Sequence, residues 1–359
     1  MERAFNFGAG PSMLPESLLT KVKNEIFDWQ GTGVSVMEIG HRTQIYENLV
    51  LNLEKKIRNA MSIPNNYQIL FLSGGGKGHF SAIPMNLTKY NKEVDYFITG
   101  IWSKFAADYA KRYCNVNIVT QATETAIPSP ASWQLNKKAA YAYYCPNETI
   151  NGIQFPNIPD VGDVPLVADM TSCILSEEFD VTKFGIVFAA AQKNLGIAGI
   201  TLLIIRDDLL NQAQDIVPDI WDYKAQAQAH SGLNTPPTFP IYMMDLMIDW
   251  FIEQGGLEKI SLINKRKAEK LYNCIDQSNN FYNNKIEKNY RSKINITFNI
   301  HNNDFLSLFL KEADKIGLKY LSGHMLVGGV RASIYNAMPE HAVDKLIDFM
   351  NHFANKYSG

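Results

Sequence analysis

Disulfide scaffolding is missing from this chain. Its 359 residues carry four cysteines, Cys114, Cys145, Cys173 and Cys274, and no two are close enough to form a C-x-x-C clip. In a chain of 40.5 kDa such sparse thiols are read as reduced, with no metal site expected and the cytoplasm as the compartment. Long apolar runs are missing too. The longest lie near 185–191 and 200–205, and Asp245 and Asp249 interrupt 239–252. A membrane span needs ~20 such residues, so none is expected. The opening stretch MERAFNFGAGPSMLP lacks an apolar core of signal-peptide length, so secretion is not expected. Charge of one sign is lacking: 34 Lys and Arg face 36 Asp and Glu, for a net charge of −2. Nothing in that balance points to nucleic acid or an anionic membrane as partner. With 23 glycines and 15 prolines the chain is not fibrous or low in complexity. The sequons at Asn86, Asn147 and Asn295 are what chance supplies.

What is present is a sizeable apolar fraction, 46%, with 19% charged residues, enough for well-filled cores and about two domains. Short apolar runs recur at Ile69–Leu72, Tyr96–Thr99, Ala139–Tyr144, Pro165–Ala168, Gly185–Ala190 and Ile200–Ile205. Runs without alternation predict strands buried on both faces, hence a mostly parallel sheet between helices. Ile45, Leu49, Leu53, Ile57 and Met61 recur every four residues and mark a helix, with Thr43 as its expected cap. A second helix is expected over 103–113, and 239–275 turns helical with a Gly-Gly break at 255–256. Helices around 303–316 and 339–355 and strand-like pieces at 293–299 and 328–334 complete a smaller C-terminal α+β part. The expected division is a large domain over 16–258 and a small one from 1–15 and 259–359.

Three constellations carry chemistry. Ser73-Gly74-Gly75-Gly76-Lys77-Gly78 follows a strand and precedes a helix, so its free amides suit a phosphate; it serves equally as a tight turn. It lacks the spacing of a P-loop. Lys193 stands after the apolar run 185–191. An ammonium in apolar surroundings tends to shed its proton, and a neutral amine is what a Schiff base needs; the alternative is a lysine that snorkels outward. Asp169 closes another apolar run, 24 residues earlier, where it could equally cap the next element. Together these supply what pyridoxal phosphate requires: an amine for its aldehyde, an acid for its ring nitrogen and a seat for its phosphate.

These residues sit in a wider pattern. Ser35-Val36-Met37-Glu38 with His41-Arg42, the Gly74–Gly78 turn, Cys145-Pro146-Asn147-Glu148-Thr149, Asn234-Thr235-Pro236-Pro237-Thr238 and Gly328–Asn336 occur in order along the chain. In these stretches the chain resembles the phosphoserine aminotransferase family, class V enzymes of fold type I that depend on pyridoxal phosphate. The resemblance implies an α/β fold with a seven-stranded-type sheet and a homodimer with its site at the interface. It implies that Lys193 forms the Schiff base and moves the proton, that Asp169 pairs with the ring nitrogen, and that Trp102 stacks on the ring. Thr149 would bond near the ring's phenolic oxygen. Gly76, Lys77 and Gln192 would hold the phosphate, with Asn234 and Thr235 reaching it from the partner subunit. Arg331 would bind the substrate α-carboxylate, while His41, Arg42 and His324 would meet the distal anion.

The implied reaction converts 3-phosphohydroxypyruvate and glutamate to O-phosphoserine and 2-oxoglutarate, in serine and, in many bacteria, pyridoxine biosynthesis. Lys77 and Met325 stand where relatives usually carry Arg, and Ala9 replaces a Ser, so the phosphate pocket is less cationic than usual. Alternatives are an alanine- or serine-glyoxylate aminotransferase of the same class and a non-catalytic cofactor-binding protein. A cysteine desulfurase would need a cysteine on a mobile loop near the cofactor, where none is expected.

Overall fold

The structure, a computed structural model, describes residues 3–357. Residues 1, 2, 358 and 359, assigned above to the smaller domain, lie outside the described residues. The chain begins with β1 (Phe5–Asn6), α1 (Glu16–Glu25) and α2 (Gln44–Ala60). The four-residue spacing read above buries Leu49, Leu53 and Ile57 on one face of α2. Thr43 does precede the helix, but its hydroxyl donates back to the Gly40 carbonyl at 2.7 Å and caps no amide.

Next come β2 (Tyr67–Leu72), α3 (Gly75–Leu87), β3 (Glu93–Ile98), α4 (Ile101–Ala110) and β4 (Asn115–Gln121). Then follow β5 (Ala142–Tyr144), β6 (Leu166–Asp169), β7 (Ile186–Ala190) and β8 (Thr201–Arg206). Among the described residues these strands form one seven-stranded sheet in the order β2-β8-β7-β6-β5-β3-β4. Only β8 runs antiparallel to its neighbours. Six of the strands match apolar runs in the sequence. The seventh, β4, is an edge strand of alternating polar and apolar residues, which a search for continuous runs passes over. The helix expected over 103–113 starts two residues earlier, at Ile101.

Helices α5 (Tyr223–Gln228), α6 (Thr238–Glu253) and α7 (Gly256–Asp276) follow, α6 and α7 being split at Gly255 and Gly256, both at positive φ. Asp245 and Asp249, which interrupt the apolar run of α6, pair with Lys56 of α2 at 2.7 and 2.6 Å. The remainder is β9 (Tyr282–Asn283), β10 (Asn295–Ile300), α8 (Leu306–Lys315), β11 (Leu318–Lys319), β12 (Val330–Ser333) and α9 (Glu340–Tyr357). Strands β9, β10 and β12 form an antiparallel sheet, and β1 joins β11 in parallel. A separate apolar core gathers Phe5, Phe7 and Met13 with Leu271, Phe298, Leu346 and Phe353. The start of the chain thus packs with its C-terminal part, as β1–β11 pairing requires.

Candidate active site

Strands β2, β3, β5, β6 and β7 share one direction, so their C-terminal ends meet along a single edge of the sheet, where α/β folds gather ligand groups. A cavity of about 300 Å³ opens there. It is lined by Gly76 and Lys77 after β2, Trp102 after β3, Thr149 after β5, Asp169 at the tip of β6, and Gln192 and Lys193 after β7. Seven residues singled out from the sequence are therefore brought together.

Lys193 lies three residues past β7 and is only 7% exposed. Its Nζ donates to Thr149 Oγ1 at 2.6 Å, which directs the amine across the cavity and not outward. The backbone around it is held by the N-terminal segment. The Ser12 hydroxyl donates to the Lys193 carbonyl, and the Ser12 N–H donates to the Gln192 carbonyl at 2.9 Å. Gly10, at φ +139°, passes so close that an added Cβ would sit 3.4 Å from Lys193 Cγ.

Asp169 is buried, with Oδ1 accepting the Thr171 N–H at 2.9 Å. Desolvation pushes its carboxyl above the usual range, opposed by the Thr171 bonds and by the charge of Lys193. Such a carboxyl is well suited to a cationic partner in the cavity, which would relieve the desolvation.

The glycine-rich turn becomes a helix start. Gly74 and Gly75 adopt φ of +109° and +60°, and α3 begins without a side-chain cap, leaving its first amides free for an anion. The Lys77 ammonium lies 5.9 Å from the Phe105 ring centroid, so its side chain packs toward α4 while its amide stays at the helix start. Trp102 borders Phe80 and Phe105, at ring separations of 6.4 and 6.0 Å. Its buried Nε1 has no hydrogen-bond partner among the described residues. An amine, a carboxyl, an uncapped helix start and an indole face around one cavity fit a phosphorylated pyridine aldehyde.

Arg331, on β12, approaches from the C-terminal part, with Nη1 3.5 Å from the Thr149 carbonyl. Burial pulls its guanidinium down, and its buried Nε has no partner among the described residues. A carboxylate bound here would supply one.

Five expected residues lie elsewhere. His41 and Arg42 line a second cavity of about 420 Å³ together with His230 and Pro236. Asn234 accepts from Gln226 Nε2 at 3.1 Å, and Thr235 is exposed. His324 sits in the turn before β12, where its Nδ1 accepts the Leu326 N–H at 3.3 Å; it too stands outside the Lys193 cavity, beside Met325, which is 90% exposed.

Other residues of the cavity had no assigned role. Phe80, Asn147, Thr171 and Ser172 line it, and so does Cys145, buried directly after β5. Burial pushes the Cys145 thiol well up, and Sγ donates to the Asn147 carbonyl at 3.4 Å, so it is a protonated wall residue and not a nucleophile. Glu148 is fully buried and accepts the N–H groups of Trp102 and Ser103 at 3.0 and 2.8 Å, fixing the start of α4. A Cβ on Gly100 would come within 2.5 Å of the Glu148 carboxyl carbon, so only glycine fits there. The signal for both lay in the Cys145–Thr149 stretch, but sequence spacing does not say which alternate residue faces a cavity. Among the described residues no metal-binding cluster is found, and no helix is long and apolar enough to cross a membrane.

The family profile described as Aminotransferase class-V matches residues 4–346. A phosphoserine aminotransferase of Hahella chejuensis is 46% identical over 358 residues, covering 99% of each chain. The solved phosphoserine aminotransferase from Bacillus circulans subsp. alkalophilus superposes with a TM-score of 0.97 at 39% identity, covering 99% of both chains. A solved phosphoserine aminotransferase from Trichomonas vaginalis, with pyridoxal phosphate bound, gives a TM-score of 0.94 at 39% identity, covering 97% of this chain and all of that one. By the family profile and by full-length identity, the chain belongs to the class V aminotransferases and, within them, to the phosphoserine aminotransferase family.

Proposed function

We propose that this chain is a pyridoxal-phosphate-dependent transaminase that passes the amino group of glutamate to 3-phosphohydroxypyruvate, giving 2-oxoglutarate and O-phosphoserine. The observation that carries the reading is the convergence of the Lys193 amine, the Asp169 carboxyl and the uncapped start of α3 on one cavity. The cofactor supplies an aldehyde that takes up the amino group and a ring that accepts the electron pair left on the substrate α-carbon.

The protein's own groups do the rest. Amides at Gly76 and Lys77 and the Gln192 side chain hold the phosphate. Asp169 accepts a hydrogen bond from the protonated ring nitrogen, and Trp102 covers the ring. Lys193 Nζ, held by Thr149 Oγ1, is the base that takes the substrate α-proton and the acid that returns it. The Arg331 fork binds the α-carboxylate. His324 is assigned to the distal anion.

His41, Arg42, Asn234 and Thr235 are assigned to the partner's site in a homodimer. Support comes from the second cavity, which joins His41 and Arg42 to the 230–236 segment away from Lys193. A large unit over 16–258 and a small one from 1–15 with 259–359 fit the separate apolar core of Phe5, Phe7 and the C-terminal helices. The cytoplasm is the compartment this reading assigns. A related phosphorylated 2-oxo acid of pyridoxine synthesis belongs to the same substrate class.

The test is half-transamination of the cofactor-loaded protein by phosphoserine, glutamate, serine and alanine in turn. Phosphoserine and glutamate should react far faster than serine and alanine. Equal rates with alanine and phosphoserine would overturn the substrate assignment in favour of a glyoxylate-type aminotransferase, and no uptake of cofactor would sink the enzymatic reading.

A further inference from the structure

Asn147 and Asn295, given no role by the sequence, are both 0% exposed and bonded to each other. The Asn147 amide nitrogen donates to Ser172 Oγ at 2.9 Å and to Asn295 Oδ1 at 2.8 Å, and its own oxygen accepts the Ser292 hydroxyl. The Asn295 amide nitrogen donates to Ser333 Oγ at 2.9 Å and to the Tyr335 hydroxyl at 3.2 Å. The Tyr335 hydroxyl donates in turn to the Ala9 carbonyl at 2.7 Å. Every N–H and oxygen of the two amides is engaged, the condition under which a buried polar network rigidifies its surroundings.

Asn295 thereby touches three segments that carry the site. Asn147 stands two residues before Thr149, the partner of the Lys193 amine. Ser333 stands two residues after Arg331, and β10 pairs with β12 so that Asn295 faces Ser333 and Thr297 faces Arg331. Ala9 adjoins Gly10 and lies three residues from Ser12, which bonds the Lys193 backbone. Arg331 itself has one long 3.5 Å contact to hold its head, so its place relative to Lys193 depends on where β12 is fastened.

We propose that Asn295 is a positioning residue that sets the distance between the Arg331 guanidinium and the Lys193 amine. It fastens β12 and the N-terminal segment to the Thr149 wall. It does so without touching substrate, and the inference rests on the reading of Arg331 as the α-carboxylate site. Among the groups assigned to the cofactor, Gly76, Lys77, Trp102 and Asp169 stand at the ends of β2, β3 and β6, which this fastening does not bond. Its loss should weaken substrate capture much more than cofactor capture.

The experiment compares cofactor-loaded wild type, Asn295→Ala and Tyr335→Phe. It measures KM and kcat with glutamate, pyridoxal phosphate affinity, and hydrogen exchange of 330–336 without substrate. Asn295→Ala should raise KM about tenfold with cofactor affinity within about twofold of wild type, and exchange at 330–336 should quicken. Tyr335→Phe, which removes the Ala9 link and the Asn295–Tyr335 bond but keeps the Asn295 bonds to Asn147 and Ser333, should raise KM about threefold. A KM within about twofold of wild type in Asn295→Ala overturns the inference, as does a loss of cofactor affinity equal to that of substrate affinity. If Asn295→Ala fails to fold, Tyr335→Phe decides by the same two criteria. A wild type that takes up cofactor but does not react with glutamate overturns the proposed function instead. Exchange at 330–336 then tests the fastening alone, and unchanged rates in the variants overturn it.

Discussion

Two cavities of this protein hold residues that one reaction would need, and they are built differently. The Lys193 cavity draws on the ends of five strands of one sheet, so its seven assigned residues are placed by the fold of a single chain. The His41–Arg42 cavity is assembled from the start of α2 and the segment around Pro236, with Glu47 and no lysine in its lining. The first gathers its amine, carboxyl and helix start within one chain, and the second holds groups assigned to a partner's site. In the proposed homodimer, the groups for proton transfer and those for the distal anion would come from different chains.

The largest expected effect tests the first cavity. Lys193→Ala should slow half-transamination by glutamate by ~10³-fold or more, because no other amine lines the cavity except Lys77, which packs toward Phe105. In wild type, borohydride should fix the cofactor to the peptide carrying Lys193, and an adduct on another peptide would break the assignment. Next, Asp169→Ala should cost about 10²-fold in rate and shift the cofactor's absorption, since a ring nitrogen without its carboxylate loses its proton. An unchanged spectrum would remove Asp169 from the ring.

The comparison itself is tested by mixing. Arg42→Ala should raise KM for phosphoserine by roughly tenfold, with little change in cofactor binding. With phosphoserine well below KM, co-refolding it with Lys193→Ala should give about a quarter of wild-type activity, because half of the random dimers are mixed and each mixed dimer has one intact site. If the mixture gives only about a twentieth, the residual of Arg42→Ala sites, the two cavities do not serve each other.

The smallest effect concerns the link between them. His79, behind the start of α3, meets the Tyr223 hydroxyl of α5 at 2.9 Å, and Gln226 of α5 holds Asn234 at 3.1 Å. Burial pulls the His79 imidazole from 6.5 to about 4. Below pH 6.5 the unfolded chain gains a proton that the folded protein refuses until about 4, so stability falls across that window. The loss is at most about 3 kcal/mol. Thermal denaturation against pH should show the slope, and His79→Gln should flatten it.

Much of this was legible from residues in a row. Apolar runs gave six of the seven strands of the large sheet, and the four-residue spacing of Leu49, Leu53 and Ile57 gave α2. Lys193, Asp169 and the Gly74–Gly78 turn declared themselves because an amine, an acid and bare amides beside apolar strands are costly unless used. Strand β4 escaped because its edge position allows polar residues on both sides of the pattern. Cys145 and Glu148 escaped because their roles depend on facing: one turns toward the cavity, the other toward the start of α4.

The sequence alone therefore determined the kind of chemistry, since that rests on residue types whose burial would otherwise be unfavourable. Only the tertiary structure decided the company each residue keeps. It joined Asn147 to Asn295 across 148 positions of chain and brought the N-terminal segment over Lys193. It also set His41 and Arg42 apart from the cavity they are assigned to complete. Contacts of that kind arise from the register of strands and the docking of cores, and local spacing carries no record of them.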